Sequence, residues 1–155
     1  MTTAHIFQIN VSKGGVPKLA IASGEVTAQG LVGDRQRNLR HHGGPQRALC
    51  LFPLEAILAL QQLGHPIYPG AIGENVTVAG LDWREVVPGA TLELGKQVRV
   101  RVTDYAHPCS NIKTAFAGGN INFVSAKKTP HRARVYAQVL TEGVINPGDA
   151  VKLLT

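Results

Sequence analysis

Aromatic residues are scarce in this chain, at 5% of its 155 residues, and only two cysteines occur. The first shortage argues against a nucleic-acid platform, which needs exposed rings for bases to stack on. The second excludes a disulfide scaffold, and Cys50 and Cys109 lack the CxxC spacing of a zinc site. Both are expected to be free thiols in a reducing compartment. No apolar run approaches the roughly 20 residues that span a bilayer, so no membrane partner is expected. The opening Met1-Thr2-Thr3-Ala4-His5 has no basic region feeding an apolar one; no signal peptide is expected, and the cytoplasm is the expected location. With 44% hydrophobic and 17% charged residues, the composition excludes disorder and fibrous repeats. The length suits a single domain, 1–155, and no stretch reads as a linker.

Charge is unevenly spread over the net +6. From Asp34 to Arg47 there are four arginines and one acid; from Lys127 to Arg134 there are four basic residues and no acid. Such patches attract phosphates and other anions, although either patch taken alone also reads as solvated surface charge.

The 17 glycines and 9 prolines favour many short elements joined by tight turns. Residues His5 to Val11, Leu19 to Gln29, Arg134 to Leu140 and Ala150 to Leu154 read as strands. The strict apolar/basic alternation of Val98-Arg99-Val100-Arg101-Val102-Thr103 marks a strand with one wet face. Val87-Pro-Gly-Ala-Thr-Leu-Glu-Leu94 resembles Asn146-Pro-Gly-Asp-Ala-Val-Lys-Leu153, each a Pro-Gly turn feeding a strand. One helix is expected, with Pro53 in its first turn, an apolar stripe through Leu54, Ile57, Leu58 and Leu60 to Leu63, and Gly64 at its C-terminal cap. A second, short helix is expected around Asn111 to Ala117. Ala117 to Pro130 reads as an exposed loop. Many short strands with a convincing helix predict a mainly β fold, a β-barrel with one or two covering helices.

Cys109 follows a strand in Thr103-Asp-Tyr-Ala-His-Pro-Cys-Ser-Asn111. Pro108 stops strand pairing, and Ser110 or Asn111 can cap a following helix. A thiol there, with His107 two residues away, is expected to have a lowered pKa and to act as a nucleophile or soft metal ligand. Position alone leaves an inert, half-buried cysteine open as well. Cys50 sits in the apolar run Ala48-Leu-Cys-Leu-Phe52 and reads as core. The richest segment runs from Gly33 and Asp34 through Arg35, Arg37, Arg40, His41, His42, Gly43 and Gly44 to Arg47. Its arginines suit bidentate phosphate binding, and its glycines allow close backbone approach. His41 and His42 would point to opposite sides of an extended segment, and no set of zinc ligands accompanies them. Glu74 and Asn75 stand at the entry to a strand, Glu74 either paired with an arginine or part of a plain turn. Gly148-Asp149 reads as a structural hairpin turn.

Four motifs occur in order: Gly30-Leu-Val-Gly-Asp34 with His42-Gly-Gly-Pro-Gln-Arg-Ala48; Gly73-Glu-Asn-Val-Thr77 with Gly80-Leu-Asp-Trp83; Pro108-Cys109 after a strand; and Tyr136-Ala-Gln-Val-Leu140 leading through Gly143 to Gly148-Asp149. Together they resemble the MOSC family, named after the C-terminal domain of molybdenum cofactor sulfurase, and within it the stand-alone bacterial branch typified by the YiiM proteins. The resemblance implies a β-barrel in which Cys109 ligates the molybdenum of a bound molybdenum cofactor (molybdopterin) or holds a sulfur as persulfide. It also places Asp34, Arg35, His42, Gly43, Gly44, Arg47, Glu74, Asn75 and Asn111 around that cofactor, with arginines and backbone N–H groups suited to its phosphate. The activity implied is reduction of an N-hydroxylated small molecule. Electrons would come from a separate reductase, because no flavin, haem or iron–sulfur motif occurs here. A sulfur carrier without its own turnover and a basic nucleic-acid-binding barrel are the competing readings. Many relatives carry a glycine shortly before the strand at Tyr136, where this chain has His131-Arg-Ala-Arg134, which implies a differently shaped cofactor loop. Some relatives continue into a C-terminal helical extension, whereas this chain stops at Thr155 just after its last strand, so an attached electron-transfer partner site is not expected here.

Overall fold

The computed structural model describes residues 3–35 and 44–154. Its strands are β1 (His5–Val11), β2 (Leu19–Ile21), β3 (Gly24–Thr27), β4 (Gly30–Leu31), β5 (Leu49–Pro53), β6 (Val76–Ala79), β7 (Thr91–Leu94), β8 (Val98–Tyr105), β9 (Val135–Thr141), β10 (Gly143–Ile145) and β11 (Val151–Leu154). The one α-helix among the described residues, α1, is Leu54–Gln62. Eight strands form a sheet in the order β11-β7-β8-β9-β5-β6-β1-β2, and β10-β3-β4 form a second sheet.

The expected barrel is not formed. The large sheet curls until β11 reaches β1, but only the single bridge His5↔Ala150 joins them. The cause is β2, which pairs with Ile9–Val11 of β1 and so leaves only the first residues of that edge for β11. The single strand expected from Leu19 to Gln29 is likewise two strands, β2 and β3, which belong to different sheets.

Local patterns account for most of the elements. In β8, Val98, Val100 and Val102 are buried while Arg99 and Arg101 are exposed, as alternation requires. β5 is buried at all five positions, because β6 and β9 pair with its two edges and both its faces are covered. The two Pro-Gly segments form matching turns, with Ala90 N bonded to Val87 O at 2.9 Å and Asp149 N to Asn146 O at 3.1 Å. Gly89 and Gly148 carry the positive φ that the third position of such turns demands. The strands they feed, β7 and β11, pair with each other from Thr91↔Leu154 to Leu94↔Val151. Pro53 serves as the N-cap of α1, and at the other end Gly64 N and His65 N return to Gln61 O and Leu60 O. That pair of bonds is the Schellman closure expected of a glycine cap.

Two cores result. One lies within the curled sheet and includes Ile6, Ile9, Leu49, Leu92, Val100 and Ile145. The other lies under α1, where Ala56, Ile57 and Leu60 meet Phe116 and Val124. The second expected helix is a 3-10 helix, Ser110–Ala115. The stretch from Ala117 to Pro130 is not a plain exposed loop. It is a cap of short 3-10 turns whose Val124 is fully buried and whose Ile121 and Phe123 pack on the same core.

Candidate functional site

The site begins where β8 ends. After Tyr105, Ala106 N still bonds Arg134 O at 2.9 Å, and Pro108 then removes the next donor. Cys109 follows in extended backbone at the head of the 3-10 helix, its carbonyl accepting from Ile112 N at 3.2 Å. The thiol residue is half-buried. Cys109 itself holds the capping position, so neither Ser110 nor Asn111 caps the turn, and Asn111 is exposed.

Tyr136 of β9 is the neighbour that gathers the site. It is paired directly with Cys50 across β5, and the Arg47 guanidinium lies 5.2 Å above its ring centroid. Burial raises its phenol pKa, as do Cys50 and, more weakly, Cys109, while Arg134 and Arg47 oppose the rise. Arg134 is almost fully buried. Its guanidinium donates to Ile72 O at 2.9 Å and to His107 O at 3.4 Å, which ties the Cys109 segment to the loop before β6. Its Nε has no hydrogen-bond partner. Cys50 lies on the core side of this cluster, where burial pushes its thiol from an ordinary 9.0 up to about 11 and keeps it protonated.

A buried polar network forms the floor. Lys18 Nζ donates to both oxygens of Asp34, at 2.8 and 2.6 Å, with only 6% and 4% of the two side chains exposed. Asp34 also accepts from Asn75 Nδ2 at 2.9 Å and from Ser12 N at 3.0 Å. Asn75 in turn bridges the β1 and β5 segments: its Oδ1 accepts from Cys50 N at 2.9 Å, and its Nδ2 donates to Asn10 O at 3.3 Å. Glu74 makes no ion pair with an arginine among the described residues. One of its oxygens instead accepts from Gly70 N at 3.1 Å and from the Thr77 hydroxyl at 2.9 Å, and the other has no partner. Burial raises the Glu74 pKa, and these bonds together with Arg134 pull it back.

Of the residues singled out in the sequence, Arg47 stacks over Tyr136 of β9, Cys109 follows the neighbouring strand β8, and Asp34, Glu74 and Asn75 form the floor. Gly44 precedes the 3-10 turn Pro45–Arg47, and Arg35 is exposed, its backbone N–H bonded to Ser12 O at 2.8 Å. His42 and Gly43, with Arg37, Arg40 and His41, lie outside the described residues. Among the described residues no three of His, Cys, Asp or Glu gather as a metal-binding group. Sequence reasoning missed Lys18, Arg134 and Tyr136 as parts of the site. The signal for the two cations was a lone charge inside an apolar run, Val16-Pro-Lys-Leu19 and Ala133-Arg-Val-Tyr136.

Comparison with known proteins places this geometry. The family model described as "MOSC domain" matches residues 38–152. A curated relative, the uncharacterized protein YflK of Bacillus subtilis, is 35% identical over 124 residues, covering 79% of this chain and 55% of its own length. Protein YiiM of Escherichia coli is 32% identical over 95 residues, covering 59% of this chain and 42% of its own. The chain thus spans about half the length of the curated relatives it matches. Among solved structures, YiiM from Geobacillus stearothermophilus superposes with a TM-score of 0.75 at 28% identity, over 98% of this chain and 75% of that one. The YuaD protein of Bacillus subtilis has a TM-score of 0.77 at 16% identity, over 97% and 94% of the two chains, a likeness of fold. No helix among the described residues is long and apolar enough to cross a membrane. With a family model spanning most of its length and YiiM relatives in both sequence and structure, the chain belongs to the MOSC domain family as a YiiM-like member.

Proposed function

We propose that this protein binds the molybdenum cofactor through Cys109 and reduces N-hydroxylated small molecules with electrons from a separate reductase. The observation that carries the reading is the half-buried Cys109 thiol after β8, with Arg134 holding the His107 carbonyl two residues before it and Arg47 stacked over Tyr136 of the neighbouring strand β9. The residues fit the group in three respects. A single soft sulfur ligand without further protein ligands among the described residues suits a metal whose remaining donors come from an organic ligand. Arg47, stacked over Tyr136, and the backbone of Gly44 at the head of the Pro45–Arg47 turn suit a terminal phosphate. The unpartnered Arg134 Nε leaves one donor of a buried cation unused beside the thiol segment.

When bound, the cofactor supplies the two-electron oxygen-atom chemistry. The chain's own residues hold and orient. Arg134 fixes the carbonyl of His107, two residues before the thiol, and Asn75 locks β5 to β1 beneath it. Lys18 and Asp34 pin the residues from which the chain enters 36–43. The net reaction breaks an N–O bond, takes up two electrons and two protons, and yields the amine and water.

The test is molybdenum analysis and pterin fluorescence on protein made in a cofactor-producing host. Near-stoichiometric metal is expected, falling to background in Cys109→Ser. A Cys109→Ser protein with full molybdenum would sink the ligand role, and a persulfide on Cys109 without any molybdenum would establish the sulfur carrier instead.

A further inference from the structure

One buried imidazole joins the C-terminal end of α1 to the segment that follows Cys109. His65, whose N–H helps close the glycine cap of α1, is only 8% exposed. Its Nδ1 accepts a hydrogen bond from Ala117 N at 3.0 Å. Its ring lies edge-on to Phe116 at 5.7 Å and tilted against Phe123 at 4.5 Å. Those two phenyl rings stack on each other at 6.3 Å and lie in or against the core under α1. A backbone N–H only donates, so Nδ1 must keep its lone pair, and the ring is neutral with its proton on Nε2. A second proton would turn Nδ1 into a donor and set two N–H groups against each other.

No counter-ion offsets such a charge. Neither Ala56 to Gly73 nor Tyr105 to Thr141 contains an aspartate or a glutamate. Glu55, before the first stretch, accepts from Gly80 N, and Glu74, after it, is held by Gly70 N and the Thr77 hydroxyl. The charges that the second stretch brings up are cations. Lys113 stands three residues before Phe116, and the Arg132 guanidinium lies 6.0 Å over the Phe123 ring, where a second cation meets repulsion. Lys127, Lys128, His131 and Tyr68 are exposed. The backbone beside the bond is also free to turn. Ala117 is followed by Gly118 and Gly119, with φ of +76° and +72°, and a Cβ placed on Gly118 would meet nothing within 4 Å.

We propose that His65 is a proton-operated latch, which holds the Phe116–Val124 segment on α1 when neutral and releases it when protonated. Phe116 N closes the 3-10 helix Ser110–Ala115 on Lys113 O at 3.1 Å, and Cys109 heads that helix. Release therefore loosens the thiol's own turn from its far end. The latch needs no metal at Cys109 and stands whether or not the protein carries molybdenum. Closing competes with a proton, so the closed form is favoured well above about pH 6.5, where a histidine in water is neutral, and weakens as the pH falls through that value. From about pH 7.5 to about pH 5.5 this competition multiplies the open population about tenfold.

The test is site-resolved NMR on the full chain. It reads the ring nitrogens of His65 at about pH 7.5 and the exchange of the Ala117 amide, corrected for intrinsic chemistry, down to about pH 5.5. Protection at Ala117 is expected to fall about tenfold, while the Cys50 and Asn75 amides of the central sheet hold. His65→Asn keeps an acceptor near the Nδ1 position and cannot titrate, so its Ala117 protection is expected to be independent of pH. His131→Gln, which removes the exposed histidine of the same stretch, is expected to keep the wild-type profile. A proton on Nδ1 at about pH 7.5, or flat protection at Ala117 in the wild type, would overturn the latch. So would a loss that persists in His65→Asn or vanishes in His131→Gln. Both wild-type readings decide the matter even where a variant fails to fold.

Discussion

Replacing Lys18 with methionine tests the site's floor most directly. The change keeps most of the buried stem and deletes only the ammonium that donates to both oxygens of Asp34. Asp34 then keeps Asn75 Nδ2 and Ser12 N as neutral donors but loses the cation that met both its oxygens. An exposed ion pair contributes about 0–1 kcal/mol, whereas removing one partner of a buried pair costs about 3–5 kcal/mol. With 6% and 4% of the two side chains exposed, the second case applies. For a domain of this size the loss corresponds to a fall in Tm of about 6–20 °C. Trp83 is the single tryptophan and is buried, so its fluorescence follows urea unfolding without a label. The double variant Lys18→Met/Asp34→Asn also removes the carboxylate charge and is expected to recover at least about half of the loss. A single-variant loss below about 1 kcal/mol, or a double variant no better than the single, would refute the argument.

Cys50 gives a pH-dependent prediction. Its folded pKa of about 11 stands above the ordinary 9.0, so the fold favours the neutral thiol. That contribution is complete below about pH 9 and is lost as the pH rises to about 11, at most about 3 kcal/mol for two units. The difference in unfolding free energy between wild type and Cys50→Ala, followed over that range, is expected to show this loss; a flat difference would contradict it. Near pH 8 a thiol reagent is expected to label Cys109 promptly and Cys50 only on unfolding, and two equally fast thiols would count against the burial argument. Gly70→Ala is expected to cost more than about 3 kcal/mol in the same urea assay. Its φ of +88° is strained for alanine, and an added Cβ would collide with the Lys18 carbonyl. Gly73→Ala, where the nearest atom is the flexible Val16 Cγ1 at 3.1 Å, is expected to cost less, and the reverse order would refute the close approach at Gly70.

Where one face of an element is wet, the sequence pattern was enough. β8 alternates valine and arginine, and the Pro-Gly repeats announce β7 and β11. Legibility fails where pairing is decided at a distance. Nothing in Leu19 to Gln29 says that the segment breaks into two sheets, and nothing local says that β2 will occupy the edge of β1 and hold the barrel open. The cap from Ala117 to Pro130 reads as loop because its apolar residues, Ile121, Phe123 and Val124, follow no helical or strand period. For the site, residue types pointed to Cys109, Arg47, Glu74 and Asn75. Lys18 and Arg134 stayed hidden because a buried cation is recognised by the partner that neutralises it, and those partners are Asp34, 16 residues away, and the carbonyls of Ile72 and His107.

The two thiols show how one scaffold separates inert from available sulfur. Cys50 and Cys109 both influence Tyr136, yet they reach it from different structural levels. Cys50 lies on a strand paired along both edges, its N–H bonded to Asn75 Oδ1 and its carbonyl to Asn75 N at 2.7 Å. That residue cannot move toward solvent without breaking the central sheet. Cys109 follows Pro108, which supplies no donor for continued pairing, and its side chain accepts no capping bond from the turn it opens. The backbone there is held from behind by Arg134 through His107, so the thiol is fixed in place while remaining half-exposed. A ligand to a bound metal needs both conditions, position without enclosure, and only the second cysteine meets them.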